Sequence, residues 1–324
     1  MAADNQANWA ARRRIAAGWA HHLWHDKAGL FGLAIVVLLI VVAAAAPLLA
    51  PYDPAAQALR DRLLPPAWLA GGQLAHLLGT DQLGRDVLSR LIFGSRVSLV
   101  VGAGVVLLAG AFGTALGMLA GYCGGRVDDF VMRWVDTQVA FPGLLLALVI
   151  LVVVGANVPS LIIVLSLNGW MVYARMARGS VLGLRQLPYV EAAQMIGCRG
   201  RRVIFRHILP NLTSPLLTLS ILEFARIILA EAALSFLGMG VQPPGSSWGL
   251  DVAIGKDYMF RAWWLVTFPG AAIALTVLGV NLLASWLRVV TDPREREKQF
   301  ARRMARKRHA EPVPAAAASV EARP

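Results

Sequence analysis

LPYVEAAQMIGCRGRRVIFRHILPNLTSP, residues 187–215, is the longest polar and positively charged interruption in the apolar second half of the chain. Pro188 stands where a first helical residue tolerates a missing N–H and a fixed φ, and Glu191 falls in the first turn, where the helix dipole favours an anion. Gly197 supplies a stop. Residues 201–208 interleave basic and apolar side chains and are expected to end at Leu209-Pro210, because the proline ring forbids continuation. The expectation is a bent knob: two short helices joined at an angle by residues 197–200, shaped to dock in a partner's groove.

The chain around the knob sets the fold class. Of 324 residues 57% are hydrophobic and only 15% charged, with mean hydropathy +0.59, whereas about a quarter of a soluble domain's residues are charged. Such a chain belongs in a bilayer, and the expected fold is all-α, a polytopic membrane helix bundle with six transmembrane spans. The net charge of +12 does not indicate nucleic acid, because the basic residues cluster between and after the apolar runs instead of interleaving with aromatics on one domain. Cys123 and Cys198 have no metal-ligand spacing and imply no disulfide framework.

In chain order, residues 1–28 form a basic segment with Arg12, Arg13, Arg14 and Lys27, read as cytoplasmic. Residues 29–49 are uncharged and long enough to cross about 30 Å of hydrocarbon, giving an uncleaved first span closed by Pro47, Pro51 and Pro54. Residues 50–96 are placed outside, and within them HLLGTDQLGRDVLSRLIFGSRVSL brackets Arg85 with Asp81 and Asp86 and sets Gly79 and Gly84 at the turns. That pattern fits a compact cap, a partner-facing surface or a solvated loop. Residues 97–290 are the core of five further spans, and residues 291–324 a basic, disordered cytoplasmic tail drawn to anionic lipid.

Within the core the second span, residues 97–122, carries Gly113, Gly117 and Gly121 at a spacing that lets another backbone approach. A nearly charge-balanced loop is expected over residues 123–134. The third span follows over 139–155 with a kink at Pro142, then a short fourth over 158–173, its cytoplasmic end marked by Arg175 and Arg178. The fifth, residues 216–237, contains Glu223, Arg226 and Glu231, costly groups that should face the protein interior or a wet path. Glu223 and Arg226, three residues apart, either neutralise each other or line the translocation path. Residues 239–262 turn at Pro243-Pro244-Gly245 outside, and Trp263 and Trp264 open the sixth span at an interface. On this topology 23 of the 31 Lys and Arg lie inside, 7 outside and Arg226 within the membrane. No phosphate-cradling G-x-x-x-x-G-K-[ST] run, H-E-x-x-H or nucleophile elbow occurs, so the chain is not expected to be an enzyme; catalytic and metal residues are none.

Glu191-Ala192-Ala193, three residues, Gly197, then Leu209-Pro210 resembles the EAA loop of permease subunits of bacterial ABC importers. The isoleucine of the general pattern falls on His207, with Ile208 one place later, and RHILPN is similar to the dipeptide and oligopeptide branch. Two further stretches resemble the DppC/OppC-type permeases: GTDQLGRDVLSR from Gly79, and AEAALSFLGMGVQPPGSSWG, residues 230–249. The Asp292-Pro293-Arg294 ending also matches, while Ala284-Ser285 replaces the Gly-Asp that often precedes it. The resemblance implies the type I ABC importer permease fold in a bacterial inner membrane, with both termini cytoplasmic. It implies as partners a second, DppB/OppB-like permease, two ATP-binding subunits that dock on the EAA loops, and a periplasmic substrate-binding protein. ATP and Mg would be used by the ATPase subunits, with no cofactor bound by this chain. The implied cargo is a di- or oligopeptide; nickel, glutathione or another peptide-like solute stays open, as does, in another class, an ion-gradient-driven carrier or channel.

Overall fold

The computed structural model describes residues 23–24 and 26–291. Arg12, Arg13 and Arg14 and the tail from Asp292 onward lie outside the described residues. In chain order the helices are α1 (Lys27–Ala44), α2 (Ala46–Leu49), α3 (Val87–Cys123), α4 (Gly125–Val139), α5 (Gly143–Val154), α6 (Val158–Leu184), α7 (Pro188–Met195), α8 (Gly200–Val203), α9 (Leu209–Phe236), α10 (Trp248–Gly255) and α11 (Trp264–Thr291). Among the described residues there is no strand, only a bridge between Thr80 and Asp86.

The all-α membrane bundle stands. Helices α1, α3, α6 and α11 are each long and apolar enough to cross a bilayer, and the bent pair α4–α5 makes a fifth span if counted as one. The sixth helix of membrane length is α9, whose 28 residues carry Glu223, Arg226 and Glu231.

The spine is α3 against α6. At 37 residues α3 is about 55 Å long, and it starts at Val87, well before the expected Val97, because Asp86 caps it. The carboxylate of Asp86 accepts from the Ser89 N–H at 2.8 Å and the Ser89 hydroxyl at 2.7 Å. The glycines of α3 meet α6 backbone to backbone. A methyl group on Gly113 would overlap the Trp170 carbonyl, one on Gly117 the Ala174 carbonyl, and one on Gly121 would lie 2.9 Å from Val181 Cβ. Around this seam Val101, Val105 and Ala109 of α3 pack with Leu161, Val164 and Trp170 of α6 and with Ala147 and Leu151 of α5. Close approach recurs at the periphery, where Gly32 of α1 lies against the backbone of Gly279 and Leu283 on α11.

Four local expectations are corrected. The fourth span is not short, since α6 continues past Tyr173 through Arg175 and Arg178 to Leu184. Residues 123–134 are not a loop, because Val131, Val135 and Gln138 recur at helical spacing and bury one face of α4. The charges that made the stretch look solvated are partly spent on α6, where Arg178 takes Asp128 and Arg175 takes Asp136, the latter at 2.6 Å. The third span is not one kinked helix, since α4 and α5 meet at 85° across a break that Pro142 ends. Nor does the second knob helix stop at Leu209-Pro210. A π turn over Ile204–Ile208, in which Leu209 N–H reaches back to the Ile204 carbonyl, carries α8 into α9 and admits Pro210 in the first turn.

The glycine seam sets an expectation. Gly117→Val should lower the thermal unfolding midpoint of the detergent-purified protein, at a cost of about 1–3 kcal/mol or more for overpacking, whereas Gly179→Ala, with nothing within 4 Å of the added carbon, should hold or raise it, by up to about 1 kcal/mol of helix propensity. An unchanged midpoint for Gly117→Val would remove the α3–α6 seam from the account.

Candidate functional site

The knob is built from its backbone stops. Pro188 begins α7, and Val190 and Glu191 return their N–H groups to the Leu187 carbonyl at 2.9 and 3.1 Å. At its end Gly197 takes φ +83°, its N–H bonding the Gln194 carbonyl at 2.9 Å while Cys198 N–H reaches the Ala193 carbonyl at 3.1 Å. This paired closure needs a left-handed residue after the helix, which glycine supplies without strain. Val190 and Ala193 turn inward, and Glu191 and Ala192 outward. Beneath the knob Val190, Val203, Ile208 and Leu212 pack on Met118 of α3 and on Ala177 and Val181 of α6. Its tip is Met195 and Ile196, 90% and 83% exposed, beside the exposed Arg199, Arg201 and Arg202. Two apolar side chains are thus held in the open among cations. Leu209, half-buried, and Pro210, exposed, lie at the root of α9 behind it.

The intramembrane charges separate into two places. Glu223 and Arg226 are brought together, Nε at 2.8 Å and a terminal guanidinium nitrogen at 2.6 Å from Glu223 Oε2. Glu223 is buried, yet the Arg226 side chain is 49% exposed on the flank of α9, near Gly169 of α6. Glu231 stands apart. It is 1% exposed, accepts from the Ser235 hydroxyl at 2.7 Å through Oε1, and its Oε2 has no hydrogen-bond partner. Ser235 in turn lies 3.4 Å from the Ser247 hydroxyl that caps α10.

At the far end of α3 from the knob, the Gly79–Asp86 motif is turned inward as a cap. Asp81 accepts from the N–H groups of Leu83 and Arg85 at 2.8 and 2.9 Å and from Arg85 Nε at 2.6 Å, and His76 Nδ1 lies 3.0 Å from Asp86. Gly79 and Gly84 have φ of +82° and +73°, and a side chain on Gly84 would run into the Ala58 carbonyl. Asp81, Arg85 and Asp86 are all buried, so they hold the cap together and do not face a partner.

Sequence reasoning missed two members of this cluster, Arg90 and Asp251. Arg90 is buried one turn into α3 and pairs with Asp251 of α10 through Nε at 2.9 Å, while the Ser246 hydroxyl donates to the Arg90 carbonyl at 2.8 Å. Burial pushes the Asp251 carboxyl up from its ordinary value, and the charge and hydrogen bonds of Arg90 pull it back. Arg90 lies within the quoted motif, but nothing local to either residue announces a partner 161 positions away. Asn211, which bonds both the His207 carbonyl at 2.6 Å and Tyr189 Oη at 3.3 Å and so ties α7 to the π turn, was missed likewise.

A helical membrane bundle with an exposed basic knob at one end and a charge-locked cap at the other has the form of a transporter permease. The chain belongs to the family described as the binding-protein-dependent transport system inner membrane component, whose profile it matches over residues 113–297. Residues 19–66 also match the N-terminal transmembrane domain of oligopeptide transport permease C. The chain is 45% identical to the dipeptide transport system permease protein DppC of Escherichia coli K12, over 85% of this chain and 91% of that protein. It is 43% identical to the di/tripeptide transport system permease protein DppC of Pseudomonas aeruginosa, over 83% and 89%. Against a putative peptide transport system permease of Brucella abortus the identity is 41%, over 85% and 90%. The protein is thus a multi-pass inner-membrane permease subunit of an ABC importer.

The cap is testable as an ion-pair lock. Arg90→Leu removes the guanidinium that pairs with Asp251, which should cost about 3–5 kcal/mol, read as a lowered unfolding midpoint. Adding Asp251→Leu should recover most of that loss, because the stranded charge is gone. If the double variant is no more stable than the single one, the pair is not what holds α10 to α3.

Proposed function

We propose that this chain forms half of the translocation pathway of an ATP-driven importer of di- and oligopeptides and is driven through residues 187–215. The observation that carries the reading is the exposed Met195–Ile196 tip, joined by the Gly197 turn to a helix that continues from Gly200 through the π turn to Phe236. Two ATPase subunits, which use ATP and Mg, would receive the two knobs of a permease pair. This chain supplies the knob and no cofactor site. A second permease homologous to the DppB/OppB type would supply the other half of the path, and a periplasmic binding protein the cargo. Glu191, Ala192, Ala193 and Gly197 form the docking element, with Leu209 and Pro210 at its hinge with α9.

The basic flank of the knob, Arg199, Arg201, Arg202 and Arg206, supports placing it, with both termini, in the cytosol. Closure of the ATPases would displace the knob, and the continuous helix behind it would carry the movement as a rigid body into the membrane. Arg226, exposed at mid-helix yet paired to a buried Glu223, supports an assignment to the pathway or the permease–permease seam, since a charge facing lipid at that depth is costly. The relatives named for dipeptide, di/tripeptide and peptide transport support the cargo class.

The reading is tested in vesicles holding the complete transporter, with a labelled dipeptide supplied through the binding protein. Gly197→Val places a β-branched residue at φ +83°, a cost of about 1–2 kcal/mol, and should lower uptake about tenfold while the complex still assembles. Undiminished uptake would withdraw the knob from coupling. Competition by nickel chelates or glutathione, with no effect of unlabelled dipeptide, would keep the machine and change the cargo.

A further inference from the structure

The cap carries an apolar loop that neither the knob nor the pathway uses. From Leu63 to Thr80 the chain reads LLPPAWLAGGQLAHLLGT, with no Asp, Glu, Lys or Arg, directly after the exposed Arg60 and Arg62. Its one titratable side chain, His76, is turned inward onto Asp86 at 3.0 Å. Leu63 and Leu78 pack inward on Val87 and Trp264, while three apolar side chains between them turn outward: Leu74 is 85% exposed, Trp68 61% and Leu77 48%. The loop is held in shape, because Ala67 N–H bonds the Leu77 carbonyl at 3.1 Å and Gly72 N–H the Leu69 carbonyl at 2.9 Å, with Gly71 at φ +87°. A fixed loop that buries its titratable group and, apart from the exposed amide of Gln73, presents leucine and tryptophan is suited to an apolar neighbour.

The neighbour is indicated by continuity with α11. The Trp68 ring meets Phe268 edge-on at 6.1 Å, and Trp263 meets the same Phe268 at 5.9 Å. Trp263 directly precedes α11, whose exposed Thr267, Ala271, Leu275 and Leu278 recur at helical spacing, the two leucines 51% and 47% exposed on a membrane-spanning helix. The outward face of the loop therefore prolongs the exposed stripe of a membrane-spanning helix beyond its first turn. Tryptophan at that junction has the amphipathic ring suited to the headgroup level.

We propose that residues 68–77 are a lipid anchor, seated in the headgroup and upper acyl region of the bilayer leaflet at the end of the molecule opposite the knob. The occupant is the bilayer itself. The anchor fixes the depth of the cap, and so of the α3 and α10 ends locked to it, against the membrane surface.

The test is spin labelling of the assembled transporter in lipid vesicles. Cys123→Ser and Cys198→Ser remove the native thiols, and a nitroxide is placed on Leu74→Cys, Leu77→Cys or, as a water-facing reference, Gln57→Cys. At positions 74 and 77, collision with dissolved oxygen should exceed collision with a water-soluble nickel chelate severalfold, and at 57 the ratio should invert. Chelate-dominated relaxation at 74 and 77 means a loop in water and overturns the proposal. Low collision with both reagents also overturns it, because it marks a protein occupant such as the second permease or the binding protein. On the unsubstituted chain, a phospholipid with a photoreactive group high in its acyl chain should crosslink to the peptide containing Trp68 and Leu74. Labelling of α11 without that peptide overturns the anchor even if the cysteine variants fail to assemble.

Discussion

Backbone contact between α3 and α6, made through Gly113, Gly117 and Gly121, is the constraint on which the rest of the molecule depends. In a bilayer apolar side chains gain little by leaving lipid for one another, so helix association rests on close van der Waals approach and on interhelical polar contacts. The glycine ladder gives the first. Gln138 of α4 gives the second beside it, accepting the Trp170 indole N–H at 2.8 Å and donating to the Leu167 carbonyl, and so ties α4 to α6. Because α3 runs the length of the molecule, this one seam fixes both of its ends. At one end Tyr122 closes against Gly200 below the knob, and at the other Asp86 and Arg90 enter the cap.

The two ends solve opposite electrostatic problems. The cap buries Asp81, Arg85, Asp86 and Arg90, a burial tolerable only because each is paired or hydrogen-bonded, and what it secures is position more than net stability. The knob leaves its cations in water and places its apolar tip among them. A buried, mutually satisfied charge set makes a rigid end. An exposed apolar tip on a glycine-closed turn makes an end that its own chain leaves uncovered.

Between the ends, α9 joins the chemistry of both. Its root is the π turn behind the knob, its middle carries the Glu223–Arg226 pair, and its outer end is tied by Glu231 and Ser235 to the cap of α10. A single helix therefore links the root of the knob to the cap of α10. The π turn and Pro215 both alter the hydrogen-bond ladder near this root, which makes it the natural site of give.

The sequence by itself determined what local chemistry and composition control. Low charge and high hydropathy required a bilayer, spaced glycines required close helix packing, and Pro188, Glu191 and Gly197 wrote the start and stop of α7, because caps and turns depend on neighbours a few residues away. The motif residues Gly79, Asp81, Gly84, Arg85 and Asp86 were legible as a charged, glycine-turned element, but not whether they face in or out. Only the tertiary structure decided that, since burial of Arg90 depends on Asp251 far along the chain. It also decided that residues 125–139 are a helix whose charges are answered on α6, and that Pro210 continues a helix through a π turn. In each case the deciding partner is distant in sequence, or is a shift of backbone register that no single residue type encodes.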